Sequence, residues 1–370
     1  MPPISMLIKP VSGLCNMRCK YCFYADVIEN REVKSYGRMS LETLETLTRK
    51  ALEFADGSCT FGFQGGEPTL AGLDFYKKLM ELQRKYNVKN VRILNSIQTN
   101  GYAMDAEFAR FLGQNKFLVG LSVDGTQAIH DSLRVDAAGK GTFERISRTA
   151  KLFDAHRVEY NILCVVNNLV ASEPDKVYGA LRRYRYLQFI PCIDNFDMEK
   201  KDFSLDADKY ASFLKKTFDR YYRDFMSGNY ISVRNFDNYI SILMGRPPEN
   251  CAMNGVCNCY FLVEGDGGVY PCDFYVLDEW QLGNVNTDSF ARMLKSDAAH
   301  RFVEVSKFPD PACGGCRWRY LCRGGCRRDR EPMVDGHMSL NKYCSAYKDF
   351  FAYSRGRMEE IAKRVKTGRV

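Results

Sequence analysis

The sequence predicts an α/β protein with a parallel sheet, followed by a smaller cysteine-rich region. Three observations predict this. From residue 4 to about residue 190, short apolar runs alternate with longer runs of helical period. Eleven of the fifteen cysteines fall into two spaced groups, one near the N-terminus and one from Cys251 onward. At 370 residues, the chain has room for one large domain and a smaller one.

The strands are expected at Ser5–Lys9, Cys59–Phe63, Val91–Ile97, Phe117–Ser122, Glu159–Val166 and Tyr186–Ile190, each short and rich in branched or aromatic residues. Helical patterns lie between them at Leu41–Ala55, Leu73–Tyr86, Ala106–Gln114, Thr142–His156 and Pro174–Tyr184. Ser40 is the expected N-cap of the first, and Leu44, Leu47, Ala51 and Phe54 share its apolar face. Strands alternating with helices imply right-handed crossovers and a parallel sheet, but periodicity alone leaves an open sheet and a partial barrel equally possible. Residues 194–250 read as a helical bridge: Asp206 to Gly228 carries an aromatic stripe (Tyr210, Phe213, Phe218, Tyr221, Phe225), and Val233 to Leu243 gives a shorter helix. A stripe at that spacing is ordinary core. The expected divisions are 1–193, 194–250, 251–350 and a terminal helix over 351–370.

Composition excludes several classes. Hydrophobic residues are 45% and charged residues 26%, as in a soluble enzyme. No apolar run reaches a membrane span, and Met1-Pro-Pro-Ile-Ser5 lacks the pattern of a signal peptide, so the expected location is the cytoplasm. There, abundant Cys points to metal or redox use rather than disulfides. The net charge of +8 comes from bases mixed with acids, so neither nucleic acid nor membrane is an expected partner.

Cys15-Asn-Met-Arg-Cys19-Lys-Tyr21-Cys22 follows the first strand. Three thiolates this close can hold three irons of a [4Fe–4S] cluster and leave the fourth open. Zinc is the alternative, although a structural zinc site needs four ligands. Gln64-Gly65-Gly66-Glu67-Pro68 follows the second strand, where paired glycines let backbone approach a ligand closely or simply turn the chain. The second field runs Cys251, Cys257, Gly267, Cys272, then Cys313, Cys316, Cys322, Cys326 and Cys344. Eight thiolates suffice for two fully ligated [4Fe–4S] clusters, or for paired zinc sites.

The triad with Tyr21, the Gly-Gly-Glu-Pro turn and the second field resemble the radical S-adenosylmethionine (SAM) superfamily with a C-terminal SPASM domain. More narrowly, Pro10 to Cys22, Phe63 to Leu70, Met253-Asn-Gly255 and Val269 to Leu277 resemble the anaerobic sulfatase-maturating enzymes over nearly the whole chain. The resemblance implies a partial (β/α)6 barrel, a SPASM domain with two auxiliary cluster sites, and a C-terminal helix. It implies three [4Fe–4S] clusters and SAM. The first cluster is held by Cys15, Cys19 and Cys22. One auxiliary cluster takes Cys251, Cys257, Cys272 and Cys326, with Cys259 as an alternative to Cys257. The other takes Cys313, Cys316, Cys322 and Cys344. Tyr21, Gly65, Gly66, Glu67, Ser122, Arg134 and Ile193 are implied around SAM, with Arg134 as a fork for its carboxylate. Asp273 is the implied catalytic base, and a 5′-deoxyadenosyl radical the implied oxidant. The expected reaction converts Cys or Ser in an unfolded sulfatase segment of Cys/Ser-x-Pro/Ala-x-Arg type to Cα-formylglycine. An electron donor such as flavodoxin or ferredoxin is the other expected partner. One departure is Asp329, where the family often has a further Cys. A ribosomal-peptide maturase and a non-catalytic iron–sulfur protein are the alternative readings.

Overall fold

The computed structural model describes residues 3–368; Met1, Pro2, Arg369 and Val370, the last two in the expected terminal helix, lie outside the described residues. Its strands are β1 (Ile4–Ile8), β2 (Met17–Cys19), β3 (Ser58–Phe63), β4 (Arg92–Thr99), β5 (Leu118–Ser122), β6 (Arg134–Asp136), β7 (Glu159–Val166), β8 (Tyr186–Pro191), β9 (Ser232–Val233), β10 (Leu262–Val263), β11 (Gly268–Tyr270) and β12 (Gly283–Asn284). All six expected strands are present, their ends shifted by at most two residues. The chain divides into two compact units. One comprises Met1–Ser122, Arg134–Tyr160 and Asn258–Phe302; the other comprises Val123–Leu133, Asn161–Cys257 and Val303–Val370.

In the first unit the strands lie in the order β12-β11-β10-β1-β3-β4-β5, with β1, β3, β4 and β5 parallel. Register places Ile8 beside Phe63, Phe63 beside Ile97 and Ile97 beside Val119, so one face is continuously apolar and buried. Helices Leu41–Phe54 and Leu73–Tyr86 supply Leu44, Leu47, Ala51, Tyr76 and Leu79 to the core. Ser40 caps the first of them, its side chain accepting from the Thr43 N–H at 3.1 Å. Tyr76 sits edge-on to Phe63, Phe108 and Phe117, and its hydroxyl donates to the Pro68 carbonyl at 2.8 Å, which satisfies the one polar atom this large ring buries.

Two features of this unit go beyond the expectation. β2 and β6 form an antiparallel pair with Cys19 opposite Arg134, so the cysteine loop is pinned to a strand. The hairpin β10–β11 adds to the outer edge of β1, with Leu262 and Val263 beside Leu7 and Ile8. Leu262 and Val263 are fully buried, and that burial drives the hairpin onto the sheet. Cys272, just past β11, therefore belongs to the first unit, whereas Cys251 and Cys257 belong to the second.

The second unit holds β7, β8 and β9 in parallel order. Helix Ala207–Met226 buries the stripe Tyr210, Phe213, Phe218, Tyr221 and Phe225, as expected of core. That stripe packs on helix Cys344–Lys366, with Phe218 and Phe350 centroids 5.7 Å apart and Tyr210 and Tyr343 5.0 Å apart. The terminal helix starts at Cys344, well before residue 351. Asn341 fixes that start: its side chain accepts from the Tyr343 N–H and its carbonyl from the Cys344 N–H.

Candidate active site

The triad lies in the segment between β1 and the short helix Phe23–Glu29, with Cys19 ending β2 and Cys22 at the N-cap of that helix. Cys22 is exposed, and Cys15 and Cys19 are half-buried. The Cys15 sulfur lies 3.4 Å from the Met17 N–H and 3.7 Å from Asn100 Nδ2. Asn100 also donates to Asn16 Oδ1 at 2.8 Å, so the end of β4 braces the loop. Burial pushes the Cys15 thiol up to about 11, and the neighbouring Glu67, Cys19 and Cys22 charges add to this. Metal charge beside Cys15 would offset that burial, and three cysteines on this loop fit a cluster with one open iron.

The Gly65–Glu67 turn is built against this loop. A Cβ on Gly66 would lie 2.0 Å from the Leu14 carbonyl oxygen, so no other residue fits. Gly65 has φ +125, and a Cβ there would meet the Ser12 carbonyl and the Lys9 stem. The Gly66 and Glu67 N–H groups donate to the Ser12 and Leu14 carbonyls, both at 2.8 Å. Glu67 departs from its expected position as a cofactor contact. It is fully buried, and Oε1 accepts from the Thr69 N–H and from the hydroxyls of Thr69 and Thr99, while Oε2 accepts from the Asn100 N–H. Its carboxylate is consumed in joining the turn to the end of β4.

Arg134 is buried and donates to the Tyr21 hydroxyl at 2.7 Å. Ser122 stands half-buried at the C-terminal end of β5. In the second unit, Ile193 is half-buried just past β8. His130 is fully buried, its Nδ1 accepting from the Asp124 N–H at 3.2 Å, which makes it loop framing and not a reactive group.

Asp273 is nearly buried, and the Tyr260 hydroxyl donates to its Oδ1. That hydroxyl also accepts from the Asp273 N–H at 2.7 Å and lies 3.4 Å from the Cys272 sulfur. Burial, then the Asp273 and Cys272 charges, hold the Tyr260 phenol well above its ordinary value, so it stays a donor. Beside this group lies a buried charge cluster. Glu264 Oε1 pairs with Arg31 Nη1 at 2.9 Å, both side chains having no exposure, and it accepts from the Tyr24 hydroxyl. Lys9 ends the β1 segment fully buried, its Nζ 3.5 Å from the Tyr24 ring centroid. Burial pulls the Lys9 ammonium down, and Asp273, Glu264 and Cys22 oppose this. Sequence reasoning missed Lys9, Tyr260 and Asn100. A lysine closing an apolar strand was the one available signal, and only for Lys9.

In the second unit, Cys313, Cys316, Cys322 and Cys344 line one small cavity of about 30 Å³, walled by Trp318, Tyr347 and Phe351. Burial raises Cys322 to about 11, with the Cys344, Cys313 and Cys316 charges adding. Cys326 is raised well above its ordinary value by burial, then by Asp329, with Cys251 and Cys257 also contributing. The Cys259 sulfur instead points at the Ala299 carbonyl, 3.9 Å away. Among the described residues, no three His, Cys, Asp or Glu side chains are arranged to hold a single metal ion. A cluster spreads its ligands over several irons. No helix among the described residues is long and apolar enough to cross a membrane.

The family model for the radical SAM superfamily matches residues 10–178, and that for an iron–sulfur cluster-binding domain matches residues 251–317. The chain is 48% identical over 370 residues to a cysteine-type anaerobic sulfatase-maturating enzyme of Clostridium perfringens (strain ATCC 13124), covering 99% of this chain and 100% of that protein. A solved structure of native anSMEcpe with bound AdoMet matches with a TM-score of 0.94 at 48% identity, covering 98% of this chain and 100% of that one. A second, of native anSMEcpe with bound AdoMet and Cp18Cys peptide, matches with a TM-score of 0.94 at 47% identity over the same shares. The likeness therefore extends through both cysteine fields.

Proposed function

The chain belongs to the anaerobic sulfatase-maturating enzymes of the radical SAM superfamily, and from that premise we propose that it oxidises a cysteine side chain of a sulfatase polypeptide to Cα-formylglycine. The observation that carries this reading is the placing of Asp273, oriented by Tyr260, in the same unit as the open-sited triad. Its cofactors are three [4Fe–4S] clusters and SAM. When bound, these supply the one-electron reduction of SAM, a SAM-derived radical that takes a hydrogen atom from the substrate Cβ, and a sink for the second electron.

The chain's own residues do the rest. Cys15, Cys19 and Cys22 hold the open-sited cluster. Cys313, Cys316, Cys322 and Cys344 hold one auxiliary cluster. Cys251, Cys257 and Cys326 hold the other, with Cys272 as its fourth ligand by motif position. The Gly66 and Glu67 N–H groups are already spent on the triad loop, so the turn offers carbonyl oxygens, which suit the SAM ammonium. Arg134 presents its guanidinium to the SAM carboxylate, steadied by Tyr21, and Ser122 adds a hydroxyl nearby. Ile193 supplies an apolar contact to adenine. Asp273 takes the thiol proton, with the Tyr260 hydroxyl fixing the oxygen that receives it. A flavodoxin or ferredoxin serves as the electron donor, and the enzyme works in the cytoplasm without nucleic acid or membrane.

Anaerobic holoenzyme incubated with SAM, dithionite and a Cys-x-Pro-x-Arg peptide should yield 5′-deoxyadenosine and a peptide whose mass shows an aldehyde in place of the thiol. If SAM is cleaved and neither a Cys nor a Ser peptide changes mass, the substrate assignment fails.

A further inference from the structure

Lys9 is the buried charge that the proposed reaction leaves unused. It has no exposure, and its Nζ has no hydrogen-bond partner among the described residues. Burying an ammonium without a partner is costly unless an opposite charge compensates nearby. Asp273 and Glu264 are the largest opposite charges acting on it, but each has oxygens engaged elsewhere. Glu264 Oε1 serves Arg31 and the Tyr24 hydroxyl, and its Oε2 lies 3.3 Å from the Gly265 N–H. Asp273 Oδ1 serves Tyr260. Neither carboxylate forms an ion pair with Lys9.

The position of Lys9 says what the missing countercharge is. Its Nζ lies 3.5 Å from the Tyr24 centroid and 5.9 Å from the Phe23 centroid, the two residues directly after Cys22. Its stem packs 3.1 Å from where a Gly65 Cβ would be, beneath the turn that braces the triad loop. Cys22 is also among the charges acting on it. Three thiolates outweigh the positive charge of an iron–sulfur cube, so a cluster on Cys15, Cys19 and Cys22 is a net anion, and more so once reduced.

We infer that Lys9 is a positioning residue whose buried ammonium, held over the Tyr24 ring two residues past Cys22, is part of the built-in countercharge of the triad cluster and raises its reduction potential. The inference rests on the triad being a cluster site. Lys9 favours the reduced cluster because that state is the more negative. It thereby brings uptake of one electron from a low-potential donor into reach. No bond or proton at Lys9 changes in this step.

The test is an anaerobic redox titration of the full holoenzyme, followed by the electron paramagnetic resonance signal that responds to SAM. Lys9→Met should move that midpoint to a more negative value and leave the signals of the other two clusters where they are. Lys9→Arg, which keeps the charge, should restore it. An unmoved midpoint in Lys9→Met with full iron content overturns the inference and leaves the cluster assignment standing. A protein lacking any SAM-responsive signal would instead remove the cluster assignment itself. If Lys9→Met does not fold, the wild-type midpoint against salt decides. A buried countercharge is poorly screened and predicts little dependence, and a strong dependence would assign the tuning to surface charge.

Discussion

The triad loop and the four-cysteine cavity are made of the same ligand and differ in almost everything else. The triad has three thiols, one of them exposed, on a loop pinned by Gly66 and Asn100. The cavity has four half-buried thiols between Trp318, Tyr347 and Phe351. Three ligands with open access leave an iron that can bind substrate; four ligands behind aromatic walls leave only electron exchange. Ligand count and access together separate a reactive site from a relay.

The widest gap should appear on removing a ligand from each. Cys22→Ala is expected to abolish SAM cleavage, well beyond the roughly 100-fold that outer-shell changes cost. Cys316→Ala should still cleave SAM and fail to make formylglycine. Measuring 5′-deoxyadenosine and aldehyde separately checks this, and equal loss of both in the two variants would erase the distinction. Asp273→Asn should lower aldehyde formation by about 10²- to 10⁴-fold, the usual worth of a placed base, with SAM cleavage continuing. Arg134→Lys keeps the charge and loses the fork, so SAM should bind about tenfold more weakly by calorimetry, with no change in iron content. Smallest is a difference in labelling. In apo-protein at pH 8, iodoacetamide should reach the exposed Cys22 and Cys251 first. Cys59 and Cys192, pushed up by burial to about 12, should remain thiols. Early modification of Cys59 would mean that the β3 core opens readily.

The parallel strands were legible because burial on one face selects branched and aromatic runs, and Glu159–Val166 is found with the bounds its pattern predicts. The cysteines were legible because their spacing is local. Interactions that depend on folding were not. Tyr260 reaches Asp273 only because the β10–β11 hairpin returns the chain, and nothing in an isolated Cys-Tyr-Phe run signals that. Glu67 read as a ligand-facing residue of its motif, yet four hydrogen bonds turn it inward. The start of the last helix was missed because its N-cap is Tyr343, which makes no side-chain cap bond, and its first residue a cysteine, a poor helix former. The choice between Cys257 and Cys259 could not be read from two positions two residues apart. The neighbourhood of Cys326 with Cys251 and Cys257 is visible only in three dimensions.

The pairing of Cys19 with Arg134 bears on how such a chain can change over generations. Side chains in a strand alternate faces, so a one-residue slip of either short strand would turn Arg134 away from Tyr21. Insertions in the exposed connections between them, outside the core strands and the Gly65–Glu67 turn, cost little as long as both strands keep their pairing. A single codon gained or lost within Met17–Cys19 or Arg134–Asp136 would be lethal to that register. Length variation should therefore collect at the exposed turn after Asp136 and spare those two triplets.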